Sequence, residues 1–314
     1  MLYVSTRKTT DTYTAHRALH ESFAPDGGLF VPFHLPPFTQ EEMASFKGQT
    51  PGEVIARILN HFFGLHLTGW DVECAIGRTP VKMQVMHHRL IVAEAWHNSH
   101  GNQDYLMKNL FAMATGKGFS TSAPEGWLYV AIEIALLFSI ITAIDTIPEI
   151  GLDIAVSSGD YRDILAVIYA KDMGLPVNMI ICACDEKGKS WDLFNRGELS
   201  TSGSSSSEEK YLEHLLLKRL GVNELQRYFD AVSKRSVYRV DTELITNLNG
   251  DVFAAVVSTG RVDSIISNIY RTNQYYMDAG AALIYGGLQD YRARTGEVRD
   301  TLIIAKQRHS KAEV

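Results

Sequence analysis

Cysteine is nearly missing from this chain: only Cys74, Cys182 and Cys184 occur among its 314 residues. An odd, sparse count with no framework spacing excludes a disulfide-stapled secreted domain and implies a reducing compartment, so a cytoplasmic protein is expected. Cys182 and Cys184 alternate within an apolar run and read as part of a buried strand rather than a metal or redox pair. Blocks of like charge are also lacking. Lys and Arg number 30 against 36 Asp and Glu, a net charge of −6, and the signs are interspersed. Neither nucleic acid nor an anionic membrane surface is therefore an expected partner. No basic segment followed by an apolar stretch opens the chain, so no leader peptide is expected. Among eleven histidines no pair has the i, i+4 spacing with an intervening Glu of a zinc enzyme, and His87, His88, His97 and His100 read as loop residues. No G-x-S-x-G elbow is present, which removes the common serine-hydrolase motif.

One long apolar run exists, Trp127 to Ile147, about long enough to cross a bilayer. Glu133 lies in its middle and Asp145 near its end, and Pro124, Glu125 and Pro148 punctuate it like the start and stop of a soluble helix. A buried core helix is expected, and no membrane partner.

Hydrophobic residues at 46% and charged residues at 21% suit a globular protein with a large core, and the length suits two units or one large unit with an appendage. Residues 11–23 read as a short helix leading into the turn cluster Pro25-Asp26-Gly27-Gly28. Two or three helices are expected over 38–75, a hairpin over 81–96 turning at His87-His88, and a helix over 105–115. A small-residue linker fills 116–126. Leu152 to Val156 reads as a strand, Ser157-Ser158-Gly159-Asp160 as a tight turn and helix cap, Tyr161 to Met173 as a helix, and Asn178 to Cys184 as a second strand. Strand, helix and strand at that spacing make a βαβ unit with parallel strands. Residues 200–207 form a serine-rich loop. Helices at 208–220, 222–233, 262–273 and 278–295 and strands at 237–240, 252–257 and 301–305 complete the reading.

Four separated segments carry a family likeness. Tyr3-Val4-Ser5-Thr6-Arg7 and Ala24-Pro25-Asp26-Gly27-Gly28-Leu29-Phe30-Val31-Pro32 open the chain. Ser157 to Ala166, with Ala170-Lys171 and Met173 to Val177, resembles "P-T/S-G-N-F-G-D-I-L-A … A-K-x-M-G-L-P". Phe194-Asn195-Arg196-Gly197 follows, and Tyr276-Met277-Asp278 through Thr295-Gly296 to Lys311 closes the series. In order and spacing these resemble the threonine synthase family, pyridoxal-phosphate enzymes of fold type II. The resemblance implies an α/β fold: a fold-type-II large domain with a parallel sheet around the βαβ unit and the small mobile domain deleted. Residues 1–104 would be an N-terminal region of helices plus hairpin, and 105–314 the α/β core of the same large domain. It also implies a homodimer.

The same resemblance exposes losses. The family holds its cofactor as an imine on the lysine of "F-H-G-P-T-x-x-F-K-D", because only an amine nucleophile forms and exchanges an imine. Here the stretch is Trp96 to Asp104, and with one residue deleted Gln103 falls at the lysine position; Lys108 is the nearest lysine downstream. In the phosphate loop Asp160 brings negative charge and Arg162 replaces a glycine, although Arg162 could itself reach an anion. Lys306 stands where the family has the hydroxyl beside the pyridine nitrogen, and Tyr129 where it has a substrate arginine. Between the lysine region and the apolar helix only the linker remains, where the family inserts a closing domain. No cofactor is expected. Residual ligand binding, of a small anion, would fall on His97, Asn98, Ser99, His100, Gln103, Ser158, Gly159, Asp160, Tyr161 and Arg162. Three readings stay open: a pseudoenzyme acting as a binding or interaction protein; an enzyme with altered chemistry using His97, His100 or Asp160; and a residual cofactor-dependent lyase.

Overall fold

A computed structural model describes residues 1–118, 125–159, 161–185, 189–201 and 207–308. The expected serine-rich loop, the linker's centre, Asp160 and Lys311 fall largely or wholly outside these ranges. Of the residues 11–23 expected to be helical, Thr12–Thr14 form a strand, β2, and only Ala15–His20 a helix, α1. The β-branched and aromatic residues Thr12, Tyr13 and Thr14 favour extension, and β1 (Leu2–Ser5) supplies the partner. β3 (Phe30–Pro32) pairs on the other side of β1, giving a three-stranded antiparallel sheet absent from the sequence reading.

Three helices follow: α2 (Gln40–Ala44), α3 (Pro51–Phe63) and α4 (Gly69–Ile76). Each opens with a capping box, Thr39 with Glu42, Thr50 with Glu53 and Thr68 with Asp71, satisfying amide groups the helix start leaves free. The hairpin is β4 (Lys82–Met86) and β5 (Leu90–Glu94), antiparallel. Next come α5 (Gln103–Thr115) and the apolar helix α6 (Trp127–Ile141). Eleven residues, 116–126, separate these two helices, too few for a domain. The strand–helix–strand unit is β6 (Leu152–Ser157), α7 (Arg162–Asp172) and β7 (Val177–Cys184), with β6 and β7 parallel.

The remainder alternates short elements: α8 (Ser190–Arg196), β8 (Glu198–Ser200), α9 (Ser207–Leu220), α10 (Val222–Ser233), β9 (Val237–Arg239), α11 (Ile245–Asn249), β10 (Val252–Val256), α12 (Thr259–Asn273), α13 (Ala279–Thr295) and β11 (Thr301–Ala305). The main sheet has six strands in the order β10-β7-β6-β11-β5-β4, parallel except at β4. Helices cover both faces, as a parallel sheet requires. α6 and α7 pack on one face within the larger core, and α12 and α13 on the other within a second core. α6 is buried almost all round, wedged among α3, α5 and α7. No described helix is long and apolar enough to cross a membrane.

Candidate functional site

A carboxylate inside a helix buried on every side must be partnered, because desolvation of a lone charge costs several kcal/mol. Glu133, in the middle of α6, is 3% exposed. The Gln103 carboxamide, on the first residue of α5, donates from Nε2 to Glu133 Oε1 at 3.2 Å and Oε2 at 3.3 Å. The Tyr129 hydroxyl, one turn back along α6, bonds the same carboxyl. Burial pushes the Glu133 carboxyl up to about 7; the Lys306 ammonium and, more weakly, Arg162 oppose that rise, and the Asp163 carboxylate adds to it.

Lys306 follows β11 and places Nζ 2.7 Å from both oxygens of Asp163. Asp163 lies in the first turn of α7, where the helix dipole favours negative charge. The Gln103 backbone N–H donates to the Lys306 carbonyl at 2.7 Å, tying the start of α5 to the end of β11. Arg162 lays its guanidinium over the Tyr129 ring at 4.1 Å and lies 5.5 Å from the Tyr211 ring. Beside these groups a cavity of about 20 Å³ remains, lined in part by Glu133, Asp163 and Lys306. That space suits a single water molecule.

A separate, open cleft of about 600 Å³ lies past the ends of β6 and β7, between α7, α8 and α9. Ser158, Gly159 and Tyr161 line it, with Lys189, Ser190 and Tyr228. Ser158 is held by its amide, which donates to the Ala183 carbonyl at 2.9 Å, and Ser190 Oγ donates to the Ser158 carbonyl at 3.3 Å. The expected cap, Asp160, is outside the described residues. Tyr161 occupies the N-cap position of α7 in the left-handed region, at φ 61°, with no side-chain cap bond, a costly conformation for a non-glycine residue. Burial raises the phenols of Tyr161 and Tyr228 above the ordinary tyrosine range. Asp185, Glu208 and Glu209 add carboxylates to the lining.

Nine of the ten expected site residues, all but Asp160, are described, and they fall into three places. Ser158, Gly159 and Tyr161 share the open cleft; Gln103 and Arg162 belong to the inner polar cluster; His97, Asn98, Ser99 and His100 line neither cavity. The last four form a surface loop that satisfies itself: the His100 amide donates to Asn98 Oδ1 at 2.9 Å, and the His100 ring stacks on Tyr105 at 3.9 Å. Sequence reasoning did not place Glu133 or Asp163 in the site. The available signal was Glu133 itself, a lone carboxylate in an apolar helix.

The cluster does not fit pyridoxal phosphate. Gln103 offers no amine, Lys306 is neutralised by Asp163, and Lys108 pairs with Asp104 at 2.7 Å one helical turn along α5. The inner cavity is far smaller than a cofactor ring needs. No cluster of His, Cys, Asp and Glu among the described residues could hold a metal.

Comparison with known proteins agrees with this frame. Residues 2–79 match the family model of the threonine synthase N terminus. The human protein threonine synthase-like 1 is 27% identical over 146 residues, covering 42% of this chain and 19% of that protein. Threonine synthase of Pseudomonas aeruginosa is 40% identical over 62 residues, 20% of this chain and 13% of that one. The match thus spans less than a fifth of the length of these curated relatives. Among solved structures, the pyridoxal-phosphate-bound threonine synthase from Brucella melitensis aligns with a TM-score of 0.80 at 16% identity, covering 98% of this chain and 89% of that chain. Yeast threonine synthase aligns at 0.81 and 15%, covering 98% and 87%. At such identities the likeness establishes the fold, that of fold type II.

Proposed function

We propose that this chain, a member of the threonine synthase family, keeps the family's frame without its cofactor chemistry and acts as a binding or interaction protein. One observation carries the reading: the groups at the expected cofactor position are satisfied by one another. Gln103 bonds Glu133, and Lys306 pairs with Asp163. Catalysis needs groups held ready for a transition state, whereas these are committed to a ground-state network. Three free cysteines, two of them buried, support a reducing, cytoplasmic setting.

The open cleft is the binding site in this proposal. Its lining combines Lys189 with Asp185, Glu208 and Glu209, so a small ligand with both an amine and an anionic group suits it better than bare phosphate. The test uses the full chain mixed with pyridoxal phosphate, reduced with borohydride and mapped by mass spectrometry. No single-lysine adduct should form, in the wild type or in Gln103→Lys, whose new amine would meet the Glu133 carboxylate. A stoichiometric adduct at one lysine of the wild type would overturn the proposal. A thermal-shift series should show amino acids and phosphorylated amino acids raising Tm more than inorganic phosphate does.

A further inference from the structure

The lining of the open cleft separates into apolar, hydroxyl and charged groups. Leu199, Leu212 and the rings of Tyr161 and Tyr228 give it buried apolar surface. Its hydroxyls are committed inside the protein: the Tyr161 phenol bonds Ser190, whose Oγ donates to the Ser158 carbonyl, and Thr201 Oγ1 donates to the Ser236 carbonyl at 2.7 Å. A bare anion would therefore meet few donors there. The charges come from two other segments. Asp185 and Lys189 stand at the described ends of the connection from β7 to α8, and Glu208 and Glu209 in the first turn of α9.

Three carboxylates thus share the cleft with one ammonium. Burial is the main cause of the raised Tyr161 and Tyr228 phenols, and Glu208 and Glu209 respectively add to it, so the carboxylates impose a negative potential on the cleft wall. Neither Glu208 nor Lys189 has an ion-pair partner among the described residues. A ligand that carries two cationic groups and one carboxylate, joined through methylenes, matches this lining in both charge and apolar surface. An amino acid with a neutral side chain would leave the carboxylates in excess, and one with an acidic side chain would add to that excess.

We propose that the cleft selects an α-amino acid whose side chain ends in a cation, with its carboxylate taken by Lys189, its side-chain cation by Glu208, and its methylenes by the leucines and tyrosine rings. The inference rests on the reading of this cleft as the binding site. Titration calorimetry of the full chain with L-lysine, L-norleucine, L-glutamate and 1,5-diaminopentane separates the two. L-Lysine should bind about tenfold more tightly than L-norleucine, which lacks only the second amine, and more tightly than 1,5-diaminopentane, which lacks the carboxylate. Glu208→Gln should bring the L-lysine affinity down towards that of L-norleucine. Lys189→Gln should weaken both amino acids by a similar factor. L-Norleucine or L-glutamate binding as tightly as L-lysine, 1,5-diaminopentane binding as tightly as L-lysine, or a lysine preference untouched by Glu208→Gln would each overturn the inference while leaving the cleft a binding site. If none of the four binds, the reading of the cleft falls and the inference with it.

Discussion

Replacing Glu133 by glutamine isolates the proton held in the inner cluster. The two side chains are nearly the same size, so packing in α6 is kept while ionisation is lost. In the unfolded chain the carboxyl titrates near its ordinary 4.5, and burial in the fold pushes it up to about 7. Between those values the folded protein retains a proton that the unfolded chain has released. The contribution to stability is therefore complete below about pH 4.5 and is lost as pH rises towards and through 7. At about 1.4 kcal/mol per unit, the shift from 4.5 to about 7 corresponds to a loss on the order of 3 kcal/mol. Glu133→Gln should escape that loss. Urea unfolding of both proteins between about pH 5 and pH 8 gives the comparison. The stability of the variant minus that of the wild type should increase by about 2–3 kcal/mol across the window, since titrations shared by both proteins cancel in the difference. A difference that stays flat from acid to alkaline pH would refute the assignment of a buried, raised carboxyl.

Three further outcomes are expected. His214 is 1% exposed, its ring bonded at Nε2 to the Tyr169 hydroxyl at 2.7 Å, and burial, with Lys218 nearby, lowers it from 6.5 to about 3. The unfolded ring takes up a proton that the folded ring refuses, so stability present above about pH 6.5 is lost as pH falls towards 3; His214→Gln should unfold at a lower pH than the wild type in an acid titration. Arg7 holds Glu213 in a two-pronged pair at 2.9 and 2.6 Å, with the Glu213 side chain 5% exposed. Arg7→Ala should cost about 2–3 kcal/mol in urea unfolding by stranding that carboxylate, and Arg7→Lys should recover only part of the loss. A Cβ on Gly28 would lie 2.3 Å from Ser5 Oγ and 3.0 Å from the Arg7 amide nitrogen, so Gly28→Ala should lower Tm by the equivalent of about 1–3 kcal/mol.

The βαβ unit was legible because its signals are local. Short apolar runs at 152–156 and 178–184, with Gly174 and Pro176 stopping the helix between them, leave little freedom in the reading. The N-terminal sheet was not, because β2 and β3 are three residues each and acquire their meaning from β1, reached only across a turn. The site divided in the same way. Gln103 could be found from a motif, but Glu133, Asp163 and Lys306 meet it from α6, α7 and the end of β11. Lys306 read as a lost hydroxyl; its gained partner on α7 lies 143 residues away. The histidines of 97–100 stand apart for the opposite reason: their neighbourhood in sequence is real, but His100 bonds Asn98 and Ser99 and stacks on Tyr105, and the His97 ring lies against Trp96, so neither lines either cavity.

A cleft that had decayed piecemeal would leave buried charges without partners, each costing several kcal/mol. Here the departures from the family pattern answer one another. Lys306 supplies the ammonium that Asp163 and Glu133 require, Gln103 gives Glu133 its hydrogen bonds, and Tyr129 carries the Arg162 guanidinium. Reverting one position should therefore fail. Lys306→Ser removes the ammonium beside two carboxylates and should destabilise by about 1–3 kcal/mol, a range that allows for the partial exposure of Lys306. Gln103→Lys adds a cation against Glu133, but in the wild-type background it also sets a second ammonium near Lys306. The two substitutions together move the positive charge from β11 to α5 instead of deleting or doubling it. A double-mutant cycle in urea should accordingly show the pair more stable than the sum of its parts by at least about 1 kcal/mol. Additive effects would mean that the two positions drifted independently and that the network is a coincidence of contacts.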